Sequence, residues 1–195
     1  MAPPAIYFQD HYTYADYASW PEEERWELIH GVAYNMTPAP NTRHQRISGN
    51  LYLAIASFLK GNSCDVFSAP FDVRLPQKGQ TAEETDTVVQ PDISVFCDPS
   101  KLDGKGGIGA PDWVIEILSP STAKKDLNLK TLLYQAHGVK EYWIVDPELD
   151  QLTVLRLEEK IQRYGIPQLY SGEGQVSPNQ FPKLTISLAE IFGKE

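Results

Sequence analysis

Long apolar runs are missing from this chain of 195 residues, and nothing approaches the roughly 20 consecutive apolar residues of a membrane-spanning helix. The opening M-A-P-P-A-I-Y-F has no charged segment followed by an apolar stretch, so it does not read as an export signal, and the expected compartment is the cytoplasm. Cysteine is scarce. The two present, Cys64 and Cys97, show no metal or redox spacing, and their strand-like surroundings predict buried, reduced thiols. A basic excess is also absent: 17 Lys and Arg against 26 Asp and Glu leave a net charge of -9. That balance argues against a protein that coats nucleic acid indiscriminately. There are no repeats, no low-complexity tracts and no Ser-His-Asp spacing.

What is present is the composition of a folded protein, 42% hydrophobic and 11% aromatic, long enough for one domain with a sizeable core. Three stretches are expected within it: an N-terminal helix and hairpin over 1–40, a core over 41–146, and a C-terminal hairpin and cover over 147–195. Charge is uneven. Asn41 to Gly61 holds Arg43, Arg46 and Lys60 with no acid, whereas the formally charged side chains before Arg25 are all acidic.

Thr13 to Trp20 predicts a short helix capped by Thr13 and stopped by Pro21. Arg25 to Met36 predicts a hairpin turning near His30-Gly31. Asn41 to Lys60 is the clearest helix, with an apolar stripe of Ile47, Leu51, Ile55 and Phe58 that His44 extends by one turn, and with Gly61 as its stop. Three strand candidates follow: Cys64 to Leu75, Val88 to Cys97, and the segment after Pro111. The Gly-rich D-G-K-G-G-I-G-A precedes a strand rather than a helix, so it reads as a flexible connection and not a phosphate cradle. A helix over Thr122 to His137, with Leu129, Leu132, Leu133 and Ala136 inward, ends at Gly138. Ser119, Ser121 and Thr122 read as its turn and cap. Glu141 to Asp146 and Leu152 to Leu157 are further strands, and Leu188 to Phe192 a closing helix. This order implies a mixed α/β sheet sandwiched by helices.

The informative stretch is P-D-W-V-I-E-I-L-S-P-S-T. Val114, Glu116 and Leu118 alternate with Ile115 and Ile117, so the strand is apolar on both faces and lies mid-sheet. Glu116 is therefore an acid in a core position, costly unless paired. Two Pro-Asp pairs precede it. Asp112 lies four residues back on the same strand, about 13 Å away and too far to share a cation. Asp92 lies on the preceding strand, and adjacent strands are only ~4.8 Å apart. Together Asp92 and Glu116 have the chemistry to hold one hard divalent ion, which usually keeps waters and a substrate phosphate besides one or two carboxylates. An amine belongs at the same point. Position 118 is Leu, but about 10 Å of strand beyond Glu116 and ~12 Å of returning helix bring Lys130 back to it, while Lys124 and Lys125 remain near the turn. An ion pair with Asp126, four residues before it, is the competing role for Lys130.

V-V-Q-P-D-I-S-V-F, P-D-W-V-I-E-I-L-S-P-S-T, D-x-x-x-K-x-x-x-Y and G-V-K-E-Y-W-I-V-D-P together resemble the Uma-type family of bacterial proteins, described as restriction endonucleases and related to the PD-(D/E)XK nuclease superfamily. The resemblance implies a restriction-endonuclease-like αβββαβ core and a phosphodiesterase dependent on magnesium, with manganese as a substitute. It implies Asp92, Glu116 and the backbone carbonyl of Ile117 as ligands, and Lys130 in place of the superfamily's lysine, whose usual position is Leu118. Glu27 takes the place of the glutamate that the first core helix often carries. His44, Arg43, Arg46 and Tyr134 are candidates to line the cleft, although packing explains His44 and Tyr134 as simply.

The expected function is DNA cleavage, with a homodimer suited to two cuts on two strands. The acidic surface and Leu118 favour a rival, a nuclease fold that binds nucleic acid or protein without catalysis. Self-association through an edge strand such as Leu152 to Leu157 is a third possibility.

Overall fold

The computed structural model describes residues 11–21, 24–36, 40–119 and 125–193, with backbone alone for 125 and 126. Helix α1 (Tyr14–Tyr17) is shorter than its pattern suggested and starts where Asp16 accepts a hydrogen bond from the Thr13 amide at 2.8 Å. Strands β1 (Trp26–Ile29) and β2 (Val32–Asn35) form the expected hairpin. Its two turn residues, His30 and Gly31, both have positive φ, 51° and 75°, as a tight right-twisted hairpin turn requires. Helix α2 (Thr42–Leu59) is capped by the Asn41 side chain, which accepts from the His44 amide. It buries His44, Ile47, Leu51, Ile55 and Leu59.

The next two strand candidates each break in two. The first gives β3 (Asp65–Ser68) and β4 (Val73–Arg74). The second gives β5 (Val88–Val89) and β6 (Ile93–Phe96). Pro70 lies in one break and Pro91 in the other, and a residue without an amide hydrogen interrupts a ladder. At each break the chain crosses from one sheet to another. The Gly-rich segment is not a flexible connection: it forms the hairpin of β7 (Leu102–Asp103) and β8 (Gly106–Ile108). Gly107 is required there, because a Cβ would lie 2.4 Å from the Phe96 ring.

Then come β9 (Trp113–Ile117), a π-helical turn over Lys125–Lys130, α3 (Thr131–His137) and β10 (Glu141–Asp146). Strands β11 (Gln151–Glu158), β12 (Arg163–Tyr164) and β13 (Gln168–Ser171), the small ribbon β14 (Gln175–Val176) with β15 (Ile186–Ser187), and α4 (Leu188–Phe192) complete the chain. The proposed turn and cap at Ser121 and Thr122, together with Lys124, lie outside the described residues, as do the side chains of Lys125 and Asp126.

The larger sheet runs β12-β11-β10-β9-β6-β3, with β13 beside β11. Only β9 and β10 are parallel within it, joined by the helical crossover. Taken with α2 and α3, it is the αβββαβ core of a restriction-endonuclease-like fold. One face packs on α2 and α4 through Ile47, Leu51, Ile115, Trp143 and Ile191. The other meets α3 and the second sheet, ordered β2-β1-β5-β4-β8-β7. That second sheet, where helices alone were expected, is why β9 is apolar on both faces. Among the described residues no helix is long and apolar enough to cross a membrane.

The cysteines are not free thiols. The register that pairs Asp65 with Phe96 continues to Cys64 and Cys97, whose Cα atoms lie 4.0 Å apart and whose sulfurs form a disulfide. Separated by 33 residues, they carry no local signal of pairing.

Candidate functional site

Strands β6 and β9 are antiparallel, with Ile93 opposite Ile115 and Ser94 opposite Val114. Asp92 immediately precedes β6, at the end of that pairing where Glu116 continues β9 beyond Ile115. The Asp92 carboxylate accepts a hydrogen bond from the Ile117 amide at 2.7 Å, so the two acids lie at one level of adjacent strands. Asp112 lies at the other end of β9, where it accepts from the Cys97 amide at 2.8 Å and pairs with Lys140 at 2.6 Å.

The crossover delivers the amine. Lys130 Nζ lies 2.7 Å from Glu116 Oε1 and 2.8 Å from Glu27 Oε1. Of the expected inward set, Leu133 is buried and Leu129 packs against the core, but Leu132 and Ala136 are exposed. Leu133 and Tyr134 are buried, Lys130 is 2% exposed and Leu132 is 64% exposed. The stripe is thus Lys130, Leu133, Tyr134 and, less deeply, His137, turned one residue from the apolar pattern. A wide π turn shifts the helical phase, and such turns recur at functional sites. Lysine can occupy the inward position because two carboxylates answer its charge. Counting Lys130 as a core residue is the signal that would have found this face.

Glu27 reaches the site from the first hairpin and is fully buried. Its Oε1 also accepts from the Gln90 amide at 3.1 Å. Gln90, in the Q-P-D triplet where the chain changes sheets, is a residue that sequence reasoning missed. Its side chain bonds Arg25, Tyr17 and Asp72. Burial, and then the neighbouring Asp72, raise the Tyr17 hydroxyl pKa well above its ordinary value.

Tyr134 donates to Glu116 Oε1 at 2.6 Å. Burial, followed by the Glu116 charge, pushes its pKa well above the usual phenol range. His44 Nε2 lies 3.2 Å from Asp92 Oδ2, so the first turn of α2 borders the site. Arg43 does not face these groups: it bonds the Pro147 carbonyl and Asp150, tying α2 to the turn after β10. Arg46 is exposed on the same turn of helix.

Glu27 and Glu116 thus meet around the Lys130 ammonium, and Asp92 meets the His44 imidazole. This excess of buried negative charge suits a cation. The Asp92 side chain is 19% exposed, against 5% for Glu116 and 0% for Glu27, so solvent approaches from the Asp92 side. Among the described residues, no three His, Cys, Asp or Glu side chains are grouped closely enough to hold an ion by themselves. Carboxylate oxygens are the donor type that a hard divalent ion takes.

This arrangement, an αβββαβ core with acids on its central strands, is a nuclease-like fold. A crystal structure from Anabaena variabilis, described as "a putative nuclease belonging to DUF820", matches with a TM-score of 0.74 and 25% identity, covering 93% of this chain and 98% of that one. The chain belongs to the Uma2 family, described as "Putative restriction endonuclease", whose sequence profile matches residues 14–189. A protein of Synechocystis sp., "Uncharacterized protein slr1290", is 30% identical over 134 residues, spanning 67% of this chain and 66% of its own length.

Proposed function

We propose that the chain is a magnesium-dependent endonuclease that hydrolyses DNA phosphodiester bonds, with manganese able to substitute. The observation that carries this reading is that Asp92 accepts from the Ile117 amide, next in the chain to Glu116, while Lys130 lies 2.7 Å from Glu116. Asp92 and Glu116 would hold the ion, with the Ile117 carbonyl beside them. When bound, it supplies Lewis acidity and a more acidic water. Lys130, held between two carboxylates, serves as a fixed positive charge near the developing phosphoryl charge rather than as a base. His44 steadies Asp92 at the solvent-facing edge. Glu27 anchors Lys130 and meets no solvent, so its part is to hold rather than to react.

The test is cleavage of linear, supercoiled and single-stranded DNA with magnesium or manganese. Activity is expected from the native chain and not from Glu116→Ala; activity unchanged by that substitution rejects the site. Sedimentation tests whether two copies associate for paired cuts.

The clamped position of Lys130 also supports a second reading, a nuclease fold that binds without cutting. Calorimetry separates the two. Millimolar divalent ion giving no heat with the native chain, and no change on Asp92→Ala, favours the binding module.

A further inference from the structure

Arg25 stands just before β1, and its carbonyl accepts from the Met36 amide at 2.9 Å, continuing the hairpin by one pair. Residues two apart on a strand point the same way, so Arg25 shares a face with Glu27. Both meet Gln90, two residues before Asp92. Glu27 Oε1 accepts from the Gln90 backbone amide, and the Arg25 guanidinium donates to Gln90 Oε1 from Nε at 3.1 Å and from Nη2 at 2.8 Å. Gln90 is 8% exposed, and its orientation is set. Its Nε2 faces the Asp72 carboxylate at 2.9 Å and the Tyr17 hydroxyl at 3.1 Å. An ionised carboxylate only accepts, so the amide oxygen is held toward Arg25. Strands β1 and β5 are antiparallel, with Leu28 opposite Val88. Stepping back from Leu28 to Arg25 therefore runs with the chain forward from Val88 toward Asp92, the solvent-facing acid of the site.

Held in this way, Arg25 is half-buried and spends two of its N–H groups on one neutral oxygen, although a guanidinium carries five. Among the described residues no carboxylate pairs with it directly; Asp72 stands on the far side of the Gln90 amide. Lys130 is engaged with Glu27 and Glu116, and Arg43 with Asp150. A guanidinium fork with free N–H groups matches the oxygens of a phosphate, and a chain of net charge -9 holds a polyanion only through cations placed where it binds. We propose that Arg25 is a substrate-anchoring residue: its remaining N–H groups grip a phosphate of the nucleic-acid backbone at the Asp92 edge of the site. The inference rests on the nuclease reading and needs no metal.

Binding is read by fluorescence anisotropy on two labelled DNA duplexes of unrelated sequence, in EDTA so that no cut is made, across a series of potassium chloride concentrations. The variants are Arg25→Gln, Arg25→Lys and Arg163→Gln, the last removing an exposed charge from β12 at the outer edge of the larger sheet. A phosphate contact adds about one to the salt slope and carries no base preference. Arg25→Gln is therefore expected to raise Kd about 10-fold on both duplexes and to lower the slope by about one, with the thermal midpoint nearly kept. Arg25→Lys keeps the native slope, and Arg163→Gln binds like the native chain. Arg25→Gln binding like the native chain, or no more weakly than Arg163→Gln, overturns the inference and leaves the nuclease reading standing. So does an Arg25→Lys slope as low as that of Arg25→Gln. An Arg25→Gln chain that no longer folds assigns Arg25 to structure and overturns it too. A native chain that binds neither duplex removes the nuclease reading itself, and the inference with it.

Discussion

Glu27 Oε1 and Lys130 Nζ are 2.8 Å apart, with none of the Glu27 side chain exposed. The contact ties the first hairpin, in one sheet, to the crossover helix above the other. Breaking a buried pair by removing one partner costs roughly 3–5 kcal/mol, because the remaining charge is left without an answer. Lys130→Ala strands both Glu27 and Glu116, so it should lose at least that much stability in urea unfolding. Glu27→Gln, which leaves Lys130 paired with Glu116, should lose less. The Lys130→Ala, Glu27→Ala cycle should show a coupling of about 0.5–3 kcal/mol. Additive losses would mean that the contact is not made in solution.

On the proposed reading, the two Pro-Asp pairs divide into a structural acid and a ligand. Asp112 is held by the Cys97 amide and Lys140, and a hydrogen bond to a charged group is worth about 1.5–3 kcal/mol. Asp112→Asn should lower stability by about that amount and leave divalent-ion binding and cleavage intact. Asp92→Asn should do the reverse, keeping the fold and removing both activities. Calorimetry and urea midpoints on the two variants decide the matter; the opposite pattern would move the site to the far end of β9.

The Cys64–Cys97 link closes a loop across a sequence separation of 33 residues, worth roughly 3–4 kcal/mol in the chain-entropy account. Reductant should lower the urea midpoint of the native chain, and Cys64→Ser with Cys97→Ser should lower it equally, with no further effect of reductant. Two thiols reacting at once with a thiol reagent, before reduction, would contradict the disulfide.

His137, near the end of α3, has its pKa pushed below the usual 6.5 by burial, then by the charge of His30, with Asp86 acting in the opposite direction. The unfolded chain therefore takes up this proton at a higher pH than the folded one. Stability is complete above about 6.5 and declines as pH falls from there through the lower folded value. His137→Gln should flatten the urea midpoint between pH 7.5 and 5. Parallel curves for the two chains would assign the acid sensitivity elsewhere.

Much of the core was legible because it is local. The apolar stripe of α2, the two-faced apolar run of β9, the His30-Gly31 turn and the closing helix at Leu188–Phe192 each follow from spacing within a few residues. Lys130 could be reached by rise-per-residue arithmetic from Glu116, because a strand and its returning helix have fixed dimensions. The inward stripe of that helix was misjudged by one position, since apolar counting discards a lysine. Nothing local shows that carboxylates from two other strands would neutralise it.

The sequence alone determined the alternation of elements and the misplaced acid at Glu116, because strand and helix geometry is set by the backbone. Tertiary structure decided what depends on distant segments meeting. It split two strand candidates between two sheets, joined Cys64 to Cys97, turned Arg43 toward Asp150, and brought Glu27 to Lys130, Tyr134 to Glu116 and His44 to Asp92. Those contacts join residues far apart in the chain, and their energies come from burial and charge pairing that exist only once the sheets have packed.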